Sequence, residues 1–216
     1  SEVNRVFAGD ASTIAEMGAG DVVSFQDIRG TEQSLKLARS PKQTKMIDGS
    51  TKIGTVVVGA GYSAFVGQEL FPVLEDMEHG GVKVWRPVES YAAAGTVMMD
   101  EIGKISSTRF VEVEDMIKYG GAGALTTDAT DDIGVDNMYV SGTNYDVFPI
   151  LYVGSDSFGT IGFEGDVARV NTVMPTADAH NDVFGKKGVV AISWYHGLLV
   201  YRPERICSLK FNVNKN

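Results

Sequence analysis

The sequence contains a single cysteine, Cys207, which excludes an internal disulfide. Nothing in the chain therefore indicates folding in an oxidising compartment. Long apolar runs are missing as well, because the longest, Gly188–Trp194, falls far short of the roughly 20 residues that a membrane-spanning helix needs. The chain does not open with a basic segment followed by an apolar stretch, so no signal peptide is predicted. We expect no membrane partner.

Positive charge and histidine are also scarce. The chain has 19 Lys and Arg against 28 Asp and Glu, a formal net charge of −9. A dedicated nucleic-acid-binding module shows a basic face, so that class of protein is disfavoured. The three histidines, His79, His180 and His196, are far apart, and no pair of them has the spacing of zinc ligands. No metal site is predicted from histidine or cysteine.

Glycine, in contrast, is abundant, with 25 residues that include the pairs Gly80-Gly81 and Gly120-Gly121. A regular helix tolerates glycine poorly, so this composition favours a sheet-rich fold with many tight turns. One helix is nevertheless predicted after Ser24, which caps it with Asp27 as the reciprocal carboxylate, and Pro41 ends it. The overall class predicted is α+β, with a mixed sheet and few helices.

The pattern of apolar residues predicts the other elements. In the first half we expect a loop at Lys42–Lys52, a buried strand at Ile53–Val58, a turn at Gly59-Ala60-Gly61, a helix at Tyr62–Glu69, a strand at Val82–Trp85 and a strand pair within Gly103–Val113. In the second half we expect a long surface loop at Tyr119–Asn144, paired strands at Val147–Val153 and Phe158–Phe163, a polar loop at Asp178–Asp182, a strand at Val189–Tyr201 that is apolar on both faces, a corner at Arg202–Arg205 and an extended end at Ile206–Val213.

One short motif offers a cofactor hypothesis. Gly59, Gly61 and Ala64 fit the G-x-G-x-x-A pattern of dinucleotide-binding turns, after a predicted strand and before a predicted helix. Pro72 falls inside the longer crossover helix that the pattern requires, and Arg86 stands where the pattern expects an acidic residue after the second strand. The competing interpretation is a glycine-rich turn without a ligand.

Other candidate chemistry is weaker. Calcium binds through carboxylate oxygens, and an acidic tract offers them, but its spacing does not match an EF-hand loop, so solvated loop carboxylates are the preferred interpretation. The tract comprises Asp128, Asp131, Asp132 and Asp136. The segment Gly154–Gly159 lacks the spacing of a serine nucleophile motif. The four residues Trp85, Trp194, Tyr195 and Phe211 fit either a core or an interaction surface. We predict no catalytic residue, no metal, no cofactor and no enzyme activity.

The order of several segments resembles the C-terminal half of tailed-bacteriophage major capsid proteins. The segments are Arg5–Asp10, Asp27–Ser40, Gly54–Leu70, Asp100–Ile105 with Arg109–Glu112, Tyr152–Gly159 and Gly197–Ile206. The resemblance implies the tailed-phage major capsid fold, with an axial domain plus peripheral-domain strands. It assigns 1–20 to the exit from an upstream element, 21–185 to an axial-type domain with a loop or insertion at about 119–144, and 186–216 to peripheral-domain strands. The family's arm and spine helix are expected upstream of Ser1.

The resemblance also implies a function. The chain would be a structural subunit of an icosahedral shell, assembling as hexamers and pentamers around double-stranded DNA that it encloses but does not bind specifically. Its partners would be copies of itself, with decoration or portal proteins, and its location the virion capsid, after assembly in the bacterial host cytoplasm. Two alternatives remain: an NAD(P)-binding oxidoreductase built on Gly59, Gly61 and Ala64, and the shell protein of a bacterial nanocompartment, which shares the fold. The residues of the subunit interfaces are not specified by the sequence.

Overall fold

The structure is a computed structural model, and it describes residues 5–47, 55–91, 97–126, 137–161, 168–175, 184–194 and 197–214. The chain divides into two compact units. The large unit comprises Ser1–Ser157 and Arg202–Asn216, and the small unit comprises Phe158–Tyr201. The family-based domain boundaries given above stay a prediction.

The large unit is built on one mixed sheet of eight strands, with strand order β1-β16-β11-β3-β8-β7-β6 and with β2 paired to β3 beside this path. Its strands are β1 (Arg5–Phe7), β2 (Gln43–Ile47), β3 (Thr55–Val66), β6 (Arg86–Pro87), β7 (Glu101–Ile105), β8 (Thr108–Glu112), β11 (Phe148–Val153) and β16 (Ile206–Phe211). Two short pairs accompany the sheet, namely β4 (Glu78–His79) with β5 (Val82–Lys83) and β9 (Val140–Ser141) with β10 (Asn144–Tyr145). The small unit contains β12 (Phe158–Ile161), β13 (Ala168–Val173), β14 (Val189–Trp194) and β15 (Gly197–Val200).

Two α-helices accompany the sheet, α1 (Phe25–Leu37) and α2 (Phe71–Glu75). Short 3₁₀ turns occur at Ile14–Glu16, Gln68–Leu70, Val88–Ser90 and Pro203–Arg205. The core lies between α1, α2 and the sheet, and its largest fully buried side chains include Ile28, Leu35, Leu74, Tyr62, Phe110, Ile150, Tyr152, Leu209 and Phe211. No helix among the described residues is long and apolar enough to cross a membrane.

Helix α1 begins as predicted. The Ser24 backbone N–H donates to Asp27 Oδ2 at 2.9 Å, and the Asp27 N–H donates to Ser24 Oγ at 3.3 Å, so both halves of the capping box are present. The helix ends at Leu37, and Arg39 turns the chain with a φ of +52°, ahead of Pro41. The predicted cap and stop are therefore both confirmed.

Three predictions in the segment after α1 are wrong. Lys42–Lys52 is not a plain loop, because Gln43–Ile47 forms strand β2. Gly59-Ala60-Gly61 does not turn the chain and Tyr62–Glu69 is not a helix, because β3 continues without interruption to Val66. The physical reason is pairing on both sides of the glycines: β3 is antiparallel to β2 up to Val57 and again at Gly61, with a register shift between these two points, and beyond Gly61 it is also antiparallel to β11 and parallel to β8. These ladders satisfy backbone groups that a turn at Gly59 would leave without partners.

From Gly103 onward the structure agrees better with the predictions. The strand pair within Gly103–Val113 is confirmed as β7 and β8, and the strands at Val147–Val153 and Ile206–Val213 are confirmed as β11 and β16. The predicted hairpin between β11 and the strand at Phe158–Phe163 is wrong, since β12 pairs with β15. The Asp146 carboxylate holds the segment predicted as a loop, Tyr119–Asn144, at two points. It accepts a hydrogen bond from the Gly121 backbone N–H at 2.7 Å and one from the Ser141 hydroxyl at 3.0 Å. Residues 127–136 and the polar loop Asp178–Asp182 lie outside the described residues.

Burial of Cys207 generates a pH-dependent prediction. The residue is fully buried in β16, and burial raises the pKa of its thiol to about 11 from an ordinary 9.0. Since the unfolded chain releases this proton first, the thiol's contribution to stability is complete below about pH 9 and falls by roughly 1–3 kcal/mol as pH rises toward 11. Denaturant unfolding of the wild type and Cys207→Ala should show a difference in unfolding free energy that shrinks across this range. A difference that stays constant from pH 8 to 11 would contradict the prediction.

Candidate subunit interface

The three residues of the cofactor hypothesis lie inside one strand. Gly59, Gly61 and Ala64 are all part of β3, and Ala64 is fully buried against the core. A dinucleotide site needs a strand that turns into a helix whose N-terminus faces the pyrophosphate. Here the first helical turn after β3 begins only at Gln68. The strand-to-helix turn predicted at these residues is therefore wrong, and the structural context that a dinucleotide-binding motif requires is missing.

The two glycines of this motif make room for a buried arginine. Arg109 extends from the neighbouring parallel strand β8 across them. A Cβ atom on Gly61 would lie 2.9 Å from Arg109 Cγ and Cδ and 3.0 Å from the Ser107 carbonyl oxygen, and one on Gly59 would lie 2.9 Å from an Arg109 guanidinium nitrogen. The motif thus serves close packing rather than phosphate binding.

Arg109 completes a buried polar cluster. Its Nε lies 3.2 Å from Glu101 Oε1, and the two side chains are only 6% and 0% exposed. Glu101 also accepts hydrogen bonds from the Tyr91 hydroxyl at 2.7 Å and from the Met98 backbone N–H at 2.8 Å. Burial, together with the hydrogen bond to Glu101 and its charge, raises the pKa of the Tyr91 hydroxyl. The cluster ties Tyr91 and the segment before β7 to the sheet.

The glycine–arginine contact is testable by adding a methyl group. Gly61→Ala should lower the unfolding free energy by about 1–3 kcal/mol, because the new Cβ overlaps Arg109 and a backbone oxygen in a packed region. The matched control is Gly30→Ala on the exposed face of α1, where a Cβ meets nothing within 4 Å and alanine is the better helix former. Urea unfolding of both variants measures the difference. Equal stability of the two variants would contradict this account.

The structure shows which of the four candidate aromatic residues are buried in the core and which are exposed. Trp85 and Phe211 are core residues, with exposed fractions of 8% and 1%. Trp194 is 68% exposed and belongs to the small unit. Tyr195 lies outside the described residues, as do His180, His196 and the acidic tract Asp128, Asp131, Asp132 and Asp136.

The remaining candidates for chemistry have local roles or none. His79 is exposed, with its ring 4.7 Å from that of Phe25. Ser157 is buried and donates its hydroxyl to the Gly154 carbonyl at 2.9 Å, so it closes a turn. Within the described ranges, no three His, Cys, Asp or Glu side chains are close enough together to hold a metal ion.

The small unit offers a candidate site of another kind, a ribbon of two antiparallel strand pairs. Strand β13 pairs with β14 from Ala168↔Trp194 to Val173↔Val189, and β12 pairs with β15 from Phe158↔Val200 to Ile161↔Gly197. In both pairs, a strand from residues 158–173 is hydrogen-bonded to a strand from residues 189–200. We call strands β12 to β15 the ribbon. A two-stranded antiparallel pair is marginally stable in water unless something packs on it.

The β13–β14 part of the ribbon is amphipathic. Side chains alternate between the two faces of a strand, and the register places Val170 opposite Ile192 and Thr172 opposite Val190 on the same face as Trp194. We call these five residues the apolar face. The other face carries Arg169 opposite Ser193, Asn171 opposite Ala191 and, at one end, Val173 opposite Val189. The strand pair therefore has one largely apolar side and one side of mixed polarity.

The apolar face is open to solvent. Val170, Ile192, Trp194 and Val190 are 59–68% exposed. Apolar side chains on the β12–β15 pair are exposed as well, namely Phe158, Leu198, Leu199 and Val200. Contiguous exposed apolar surface of this kind marks a surface that a partner covers. The ribbon is accordingly the candidate subunit interface of this chain.

The sequence predicted one strand at Val189–Tyr201, apolar on both faces, and left open whether its aromatic residues belong to a core or to an interaction surface. The described residues of this segment form two strands, both largely exposed. The missed signal was the alternation of Arg169, Val170 and Asn171 in the partner strand β13, which is typical of a strand with one polar face. An alternating strand paired with an apolar one predicts a half-exposed ribbon rather than a core strand.

Comparison with known proteins identifies relatives. The chain is 32% identical over 212 residues to the major capsid protein of Pseudomonas phage KPP21, and the alignment covers 94% of this chain and 52% of the relative. The chain is a homologue of a phage major capsid protein. It spans about half the length of that curated relative. No protein-family model matches the chain.

Solved phage capsids share the fold of this capsid protein homologue. The capsid of Ralstonia phage GP4 matches with a TM-score of 0.58 and 15% identity, over 99% of this chain and 53% of that chain. The capsid of cyanophage Pam1 matches with a TM-score of 0.51 and 10% identity, over 94% of this chain and 50% of that chain. The predicted phage capsid fold, α+β with a mixed sheet and few helices, is confirmed. The homology also agrees with the prediction of a structural protein that is not an enzyme.

The apolar face gives a prediction that separates folding from association. The substitution Ile192→Lys should change the unfolding free energy of the monomeric protein by less than about 0.5 kcal/mol, because the side chain is exposed. It should reduce the yield of assembled particles at least about tenfold, or roughly 1.4 kcal/mol, because an interface would bury an unpaired charge.

The control is Ser193→Lys, the adjacent residue on the other face of the same strand, which should assemble as the wild type does. Sedimentation of lysates from producing cells measures particle yield, and denaturant unfolding measures stability. Equal particle yields for the two variants would show that the apolar face is not a subunit interface.

Proposed function

We propose that this chain is a structural subunit of a bacteriophage icosahedral capsid shell, which assembles as hexamers and pentamers around double-stranded DNA. The observation that carries the proposal is the exposed apolar face of the ribbon, in a chain homologous to a phage major capsid protein. A subunit with such a face needs neighbours to remove it from water, and a closed shell supplies neighbours to every copy.

Electrostatics supports enclosure of DNA without specific binding. The formal net charge of −9 repels a polyanion, and base recognition requires contacts that a basic face first positions on the phosphates. We propose that the main partners are other copies of the same protein, with decoration or portal proteins as further ones. The proposed location is the virion capsid, with assembly in the cytoplasm of the bacterial host.

Electron microscopy of particles from the natural source, with intact mass measured on the same sample, tests the proposal. We expect uniform icosahedral shells whose capsomers have six-fold and five-fold symmetry, filled with double-stranded DNA. Particles of the same fold that enclose protein instead of nucleic acid would favour a nanocompartment shell. Small soluble species only, with the protein present at high concentration, would overturn the proposed function.

A further inference from the structure

One end of the β7–β8 hairpin concentrates positive charge. Arg86 in β6 lies directly opposite Lys104 in β7. Like charges in that arrangement destabilise a sheet. Among the described residues, neither side chain has a carboxylate within ion-pair distance, although the Lys104 ammonium lies 4.4 Å from the centre of the Tyr91 ring. With Lys83, which also forms an exposed ion pair with Asp76 at 3.6 Å, they line a depression of 490 Å³ to which no acidic residue of the described chain contributes. We call Arg86, Lys104 and Lys83 the basic end.

The other end of the same hairpin is acidic. Asp100 precedes β7, Glu112 ends β8, and Glu114 and Asp115 follow it. These four residues line a depression of 690 Å³, and no lysine or arginine among the described residues lines it with them. Phe65 and Val111 provide an apolar floor. We call Asp100, Glu112, Glu114 and Asp115 the acidic end.

The two ends are too far apart to neutralise one another within one chain. Lys104 and Asp100 are four residues apart along the strand direction, which is about 13 Å at roughly 3.3 Å per residue. Charges on a surface are screened beyond about 8 Å at physiological ionic strength. Each end is therefore available to opposite charges on another molecule, and a second copy of this chain presents the complement of both.

We propose that the basic end of one copy docks against the acidic end of the next copy around a ring. The inference rests on the proposed function and names a contact within it. A contact between two different surfaces of identical subunits is heterologous, and it closes into a ring when the rotation between copies allows it. Complementary charge mainly sets which surfaces meet and how fast they associate. This accounts for the like-charge pair Arg86 and Lys104, which a single subunit leaves uncompensated.

DNA phosphate is the rival occupant of the basic end. It is the weaker candidate because it leaves the acidic end, on the same hairpin, without a function. A second copy uses both ends at once.

A charge swap in the whole coat protein tests the contact. The first variant is Arg86→Glu with Lys104→Glu, the second is Glu112→Lys with Glu114→Lys and Asp115→Lys, and the third combines all five substitutions. Each of the first two places like charges across every contact, so assembled particles should fall at least tenfold. The third restores opposite charges at every contact with the signs exchanged, so assembly should return to within about threefold of the wild type.

The control for charge alone is Arg29→Glu with Lys45→Glu, which changes the net charge as the first variant does but on exposed positions of α1 and β2. It should assemble normally, and thermal unfolding of unassembled subunits shows whether each variant folds. Wild-type shells with all variants assembling equally would overturn this inference and leave the proposed function standing. Loss in the first two variants without rescue in the third would also overturn it, and normal shells with less DNA in the first variant would assign the basic end to DNA. Absence of wild-type shells would instead contradict the proposed function.

Discussion

The pairing of strand β3 with three neighbours is the constraint on which the large unit depends. Twelve residues remain extended because β2, β8 and β11 together satisfy its backbone groups, and helices α1 and α2 then have a continuous surface to pack on. Glycines at 59 and 61 weaken a strand on their own, but they allow Arg109 to reach Glu101. The buried ion pair and the long strand therefore depend on each other.

The ribbon follows a different rule. In the large unit, apolar strands are covered by helices and by adjoining strands, whereas β13 and β14 present Val170, Ile192 and Trp194 to solvent. A subunit that reached its lowest free energy alone would bury these side chains, because apolar surface accounts for most of the stability of a fold. The chain thus divides its sequence between a unit with its own core and a unit whose apolar surface suits association.

The sequence predicts an element of this structure correctly where the preference of the local residues agrees with the contacts that distant residues make in the fold. The cap at Ser24 and Asp27 is local, and it formed as expected. Gly59 and Gly61 carried a local turn signal that pairing overrode, since the requirement for glycine came from Arg109, some fifty residues away in the chain. The strand at Val189–Trp194 was recognisable, but its exposure was not, because the same apolar run suits a core or an interface. The candidate interface was accordingly found from the structure rather than from a motif.

The position of the ribbon in the chain bears on how such proteins diverge. It leaves the large unit after Ser157 and re-enters at Arg202, whose backbone N–H donates to the Ser157 carbonyl at 3.1 Å, between strands β11 and β16 that are already antiparallel neighbours. The two junctions are therefore as close as the ends of a tight turn. A stretch of chain joined at two adjacent points can change in length while β11 and β16 keep their register, so the exposed apolar ribbon can be altered without altering the core of the large unit.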